Sequence, residues 1–170
     1  MVPAVVAVAL LQAPLADSTA LRHSDGHVPP TAIAVRVDRP PVIDGRLDDP
    51  AWALAPPVTQ FRQTDPEEGK PVSESTEVRI VYDAAAIYIG ARMYDRAPQK
   101  IVARLGRRDA ATQSDDFRVL FDSYHDHRTA FRFVVNPAGV KGDVFFGDDG
   151  NYADDSWDPV WEVATTVDSL

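Results

Sequence analysis

An all-β chain, folded as an antiparallel two-sheet sandwich of the jelly-roll kind with one or two short helices, is predicted by three observations. Apolar and polar residues alternate over short runs from Ile33 onward. Turn-forming residues separate those runs. The chain has 170 residues, of which 45% are hydrophobic, enough for one core and too little for a second domain of ordinary size.

In chain order, residues 5–11 form an uninterrupted apolar run followed by Ala13, Pro14 and Ala16, small residues of the kind a signal peptidase accepts. Residues 1–16 are therefore expected to be an export signal, although the first basic side chain is only Arg22. The run is too short to span a bilayer. Residues 17–30, with Asp25-Gly26-His27 and Pro29-Pro30, read as an exposed linker, and residues 31–170 as the sandwich. Ile33, Val35 and Val37 alternate as a first strand. Ile43-Asp44-Gly45 with Leu47 and Trp52 reads as a corner: Gly45 permits a positive φ, Asp44 caps the turn and Trp52 plugs the end of the sandwich. The competing reading makes Trp52 a sugar platform. Asp48 or Asp49 can cap a short helix with Pro50 at its first position.

Val78, Ile80 and Tyr82, then Ile87, Ile89, Ala91 and Met93, predict a hairpin joined through residues 83–86. Residues 98–105 have helical spacing, with Ile101, Val102 and Leu105 apolar. Phe117, Val119 and Phe121 face the core from the next strand, and Phe131, Phe133 and Val135 from the one after, with a polar turn over residues 124–128 between them. Asn136-Pro137-Ala138-Gly139 is a further turn, leading into a strand over residues 140–146, and residues 160–167 form the last strand.

The 26 acidic against 17 basic residues, a formal charge of -9, would repel a phosphate backbone, so nucleic acid is excluded as a partner. There is no cysteine, hence no disulfide framework and no thiolate site. Carbohydrate chemistry is approached through three ordered blocks: PVIDGRLDDPAW from Pro41, TEVRIVYDAAAIYIGARMYD from Thr76, and SDDFRVLFDSYHDHRTAFRFVVNPAGV from Ser114. In this order they resemble the family 9 carbohydrate-binding module and its relatives at the N-terminus of large bacterial envelope proteins, over Ile33 to Val167.

The resemblance implies a non-catalytic module of an exported protein, and it implies a further core strand after the one ending near Val167, so the sandwich is expected to lack its C-terminal closing strand and to leave an edge unpaired. In Phe131-Arg132-Phe133 it implies that Arg132 hydrogen-bonds sugar hydroxyls. A guanidinium presents several fixed donors, which suits adjacent hydroxyls. The family pattern is also departed from. Ala111, Thr112 and Gln113 stand where the family places one clamping tryptophan, Arg118 stands where it places an acidic residue, and no second clamp tryptophan occurs up to Leu170. Trp157, beside Asp158-Pro159 and Trp161, is the aromatic left to stack on a pyranose, so Arg132, Trp157 and Arg118 are the candidate carbohydrate-binding residues. Asp148, Asp149, Asp154 and Asp155 crowd the loop between Gly147 and Trp157, either as a solvated loop or as oxygen ligands for calcium.

No catalytic residue is assigned. Asp115 and Asp116 are adjacent on a strand and point to opposite faces, so they cannot flank one glycosidic bond as acid and base. His125 and His127 are two ligands where zinc wants more. Met93, the only internal methionine, could ligate a haem in a related sandwich, but its alternation with Ile89 and Ala91 reads as core. The expectation is a carbohydrate-binding domain acting in the periplasm, at the outer membrane or outside the cell. Any glycoside hydrolysis, and any membrane association, would belong to regions beyond this chain's C-terminus. The alternative is a docking domain of an outer-membrane barrel protein without sugar affinity.

Overall fold

The computed structural model describes residues 2–8, whose backbone path it gives, and residues 31–168. The linker over 17–30 and the cleavage region around Ala13 and Ala16 lie outside the described residues. Two sheets carry the fold. The first has five strands in the order β2-β3-β4-β1-β9, formed by β1 (Val2–Val8), β2 (Ala34–Arg36), β3 (Thr76–Tyr82), β4 (Ile87–Met93) and β9 (Glu162–Thr165). The second is a four-stranded antiparallel meander of β5 (Phe117–Phe121), β6 (Ala130–Val135), β7 (Lys141–Gly147) and β8 (Tyr152–Asp154). Among the described residues no helix is long and apolar enough to cross a membrane.

The all-β two-sheet prediction holds, with one strand pair departing from the antiparallel rule. β2 runs parallel to β3, Ala34 opposite Ile80 and Arg36 opposite Tyr82. The chain between them is long enough for a crossover, and it carries helix α1 (Pro50–Leu54). The β3–β4 hairpin matches the predicted one, with Ile80 opposite Ile89. β1 lies between β4 and β9, antiparallel to both, and β9 is the outermost strand on that side of the sheet.

Why the inner faces meet follows from the alternation. Val78, Ile89 and Ala91 are buried and pack against Phe117, Val119 and Phe121 of the facing sheet. Val81, on the other face of β3, packs instead with Trp52, Ala51, Ala55 and Val37. The first sheet is thus covered on both faces where α1 lies, and Trp52, at 1% exposure, is the plug the sequence predicts. Gly90 makes room for it: a Cβ there would lie 2.5 Å from the Leu47 Cδ2, closer than real Cβ contacts come, and 3.0 Å from the Trp52 ring, which would have to give by a few tenths of an ångström.

The corner before α1 is built as predicted from Gly45, at φ 85°, and from the Asp44 carboxylate, which accepts the Arg46 N–H at 2.9 Å. The cap of α1 is corrected. Asp49 occupies the cap position, but its carboxylate makes no helix-capping bond and accepts the Val42 N–H at 3.0 Å instead. Arg79 serves the other end of the helix, where its guanidinium donates to the Ala55 carbonyl.

The helix predicted over 98–105 is also corrected. Only a single 3₁₀ turn, Pro98–Lys100, forms. Val102 donates to the Asp115 carboxylate at 2.8 Å, and Arg104 donates to the Ser114 hydroxyl at 3.0 Å, so the segment is drawn out alongside the start of β5. Its apolar Leu105 is left 85% exposed rather than facing a core.

Candidate functional site

Strand β6 sorts its side chains by alternation. Phe133 and Val135 point inward, buried at 1% each and packed with Trp161. Arg132 and Val134 point to the opposite, outward face of the second sheet. The cross-strand partners continue that face: Arg118 on β5 lies opposite Val134, and on β7 Val144 lies opposite Arg132 and Gly142 opposite Val134. A cavity of about 330 Å³ opens over them. Its floor is Arg118, Arg132, Val134, Gly142 and Val144, and its side wall is the segment Asp109 to Thr112.

That wall is held by a buried electrostatic anchor. Asp143, 1% exposed on β7, accepts from the Arg108 guanidinium at 2.6 Å and from the Trp161 indole N–H at 3.0 Å. The Asp109 carboxylate accepts the Asp143 N–H at 3.0 Å, and the Asp109 N–H donates to the Lys141 carbonyl at 3.1 Å. Burial works against the charge on Arg108. The hydrogen bond and charge of Asp143, with the charges of Asp158 and Asp109, outweigh it and raise the arginine's pKa. Asn136 closes the neighbouring turn: its amide oxygen accepts the Ala138 and Val140 N–H groups at 3.0 Å each, and its Nδ2 donates to the Arg104 carbonyl at 2.8 Å.

The two arginines of the floor differ. Arg118 donates to Asp116 at 2.8 Å, and that hydrogen bond, with the charge of Asp116, raises its pKa. Arg132 stacks on the Phe146 ring, 4.9 Å from guanidinium carbon to ring centroid. Among the described residues it makes no hydrogen bond or ion pair, and its Nε is buried without a partner. The donors on its two terminal nitrogens, which are not buried, are left free for a ligand. At the rim, the exposed Asp155 is likewise unengaged within the described residues.

The expected sugar-binding residues are thus only partly brought together. Arg132 and Arg118 share the cavity, and Ala111 and Thr112 line it too. The pairing of Arg132 with Trp157 is corrected. Trp157 packs on the inward side, its ring centroid 4.8 Å from that of Phe131 and 5.6 Å from that of Phe133. Since Phe131 and Phe133 alternate with Arg132, the indole and the guanidinium lie on opposite faces of β6. Among the described residues no aromatic side chain lines the cavity.

The acidic loop has two readings, a solvated loop or a calcium site. Among the described residues no three acidic or histidine side chains come together as a metal site. Asp148 and Asp149 instead face Arg128 at 3.3 Å each, so a cation would have to displace a guanidinium. Asp154 accepts from the Ser156 N–H and hydroxyl at 2.9 and 2.6 Å, and Asp155 stands apart at the cavity rim. His125 and His127 both adopt positive φ in a tight turn whose N–H groups are taken up by Asp122. Met93 is half-buried and lines a smaller cavity of about 140 Å³ that contains no histidine. What the sequence did not reveal is the wall: Arg108 and Asp143 are 35 residues apart, and only a buried acidic residue amid the apolar alternation of β7 hinted at the pair.

No family model, curated protein or solved structure matches this chain. The functional reading therefore rests on these residues and on the three sequence blocks.

Proposed function

We propose that the chain is a non-catalytic carbohydrate-binding domain of an exported protein, and that the cavity over β5, β6 and β7 is its binding site. The observation that carries this reading is Arg132, whose donors are free at the floor of a roughly sugar-sized hollow. Two further points support it. Arg118 lies beside Arg132, and the segment that stands where the resembling modules carry an aromatic clamp, Ala111 and Thr112, borders the same hollow. The domain would bring a polysaccharide close to whatever chemistry the rest of the protein supplies. Residues suited to acid–base or nucleophilic catalysis do not border the hollow as an unpaired set, because Asp116, Asp109 and Asp143 are each engaged by an arginine.

A second reading, a docking domain of an outer-membrane protein without sugar affinity, is favoured by one fact: the hollow has no ring on which a pyranose could stack. Titration calorimetry with a panel of plant, algal and bacterial polysaccharides and their oligosaccharides decides between them. A polar site without stacking should bind with Kd between about 1 μM and 1 mM, or about 4–8 kcal/mol. Arg132→Ala should weaken binding without lowering the melting temperature. Binding to no member of the panel would sink the carbohydrate reading.

A further inference from the structure

Granting that this hollow binds carbohydrate, its charge pattern says which kind. Among its acidic side chains, Asp116 is answered by Arg118 at 2.8 Å, and Asp143 and Asp109 by Arg108 at 2.6 and 3.6 Å. Lys141 donates to the Trp161 carbonyl at 2.7 Å and lies 5.2 Å from that ring, so it adds positive charge with no carboxylate against it. Three charges are left without an ionic partner: the Arg132 guanidinium at the floor, the Lys141 ammonium, whose proton is taken by a carbonyl, and the Asp155 carboxylate at the rim.

We propose that the hollow recognises a uronate, a sugar whose ring carries a carboxylate, with that carboxylate on Arg132 and the ring hydroxyls donating toward Asp155. The argument has three steps. With no aromatic ring in the hollow, stacking cannot supply affinity, and charge-assisted bonds are about twice as strong as neutral ones. Phe146 holds the guanidinium by its face, which leaves the planar edge as the part that meets a ligand, and that edge matches a carboxylate in bidentate fashion. Finally, a free carboxylate at the rim and a chain of net charge -9 disfavour densely charged polyanions, which separates a uronate, with one charge and several hydroxyls, from a sulfate-rich glycan. The step is binding alone; no bond is made or broken.

The test uses the 170-residue chain and calorimetry with matched oligosaccharides: oligogalacturonate and oligoglucuronate, their neutral counterparts, and a sulfated oligosaccharide. Uronates are expected to bind at least about tenfold tighter than the neutral sugars, with an affinity that falls as salt rises. Arg132→Gln should remove that preference, and Arg132→Lys, which keeps the charge and loses the fork, should restore only part of it. Circular dichroism melting of each variant shows whether the fold persists. Neutral sugars binding as tightly as uronates would overturn the uronate proposal and leave the carbohydrate reading standing. A sulfated glycan binding as tightly would overturn the carboxylate preference. Binding to no sugar at all would remove both.

Discussion

At the residue scale, the structure separates side chains that hold the fold from Arg132, which is free to act. Trp52 is held by Val81, by α1 and by the bare backbone of Gly90. Trp52→Ala should cost about 3–5 kcal/mol in chemical denaturation, the range for truncating a buried large aromatic. A loss below about 1 kcal/mol would show that the ring is not a core element. Arg108 is a second structural residue, since it neutralises a carboxylate that water does not reach. Arg108→Ala leaves Asp143 buried with only the Trp161 indole donating to that carboxylate, and removing one partner of such a pair costs about 3–5 kcal/mol when both are buried. Because Arg108 is 30% exposed, the lower end of that range or less is expected. An unchanged denaturation midpoint would contradict the anchoring role given to the pair. Arg132, by contrast, has no internal bond to lose, which is why its removal should touch binding and spare stability.

At the element scale, the turn between β3 and β4 depends on one carboxylate. Asp83 accepts the Ala85 and Ala86 N–H groups at 2.8 and 2.9 Å and the Tyr88 hydroxyl at 3.1 Å. The Ala85 N–H foremost, with the Ala86 N–H and the Tyr88 hydroxyl, outweighs a burial penalty and holds its pKa below the usual carboxylate value. A depressed folded-state pKa contributes stability in full above the unfolded value of about 3.9 and loses it as pH falls through the folded one. Wild-type melting temperature should therefore drop on acidification below about pH 4, and Asp83→Asn should drop less steeply over that window. Parallel curves for the two proteins would show that Asp83 is not a source of the acid sensitivity. The same scale shows what the sequence could express. Strands with strict alternation, such as β3 to β6, are legible because period two puts one side in the core and the other in water. The segment over 98–105 misled because its apolar spacing imitates a helix, while its backbone donors are claimed by Asp115 and Ser114, residues ten or more positions away. β8 escaped because only three residues pair, inside a loop whose carboxylates dominate its composition. The binding face was half legible. Arg132 stands out within its strand, but its wall arrives from residues 108–112, and the inward position of Trp157 depends on aromatic neighbours on β6 that no local pattern announces.

At the scale of the whole molecule, the continuity of the first sheet hangs on β1. Among the described residues β9 pairs with no strand except β1, through Ala4 opposite Thr165 to Ala7 opposite Glu162, and β1 covers β4 along seven residues. The residues just before and within β9 also belong to the core, because Trp161 and Val163 pack with Phe133 and Val135. Yet the sequence of β1 overlaps the apolar run that reads as an export signal, and one segment cannot be both a removed leader and the strand that joins β9 to β4. Under the export reading, the chain without residues 1–16 is the form that reaches its destination, and its β4 edge would seek another strand. Removing residues 1–16 should therefore lower stability and promote self-association, because a seven-residue ladder is lost from β4 and a four-residue one from β9. A loss of even about 2 kcal/mol lowers the midpoint of a chain this size by about 4–8 °C. The hollow over β5, β6 and β7 lies on the outward face of the other sheet, so sugar binding should survive in the fraction that stays monomeric. Melting curves with light scattering, run on both forms, check this directly. Equal midpoints and equally monodisperse solutions would mean that β1 contributes nothing to the fold and that β9 is held by its side-chain packing alone.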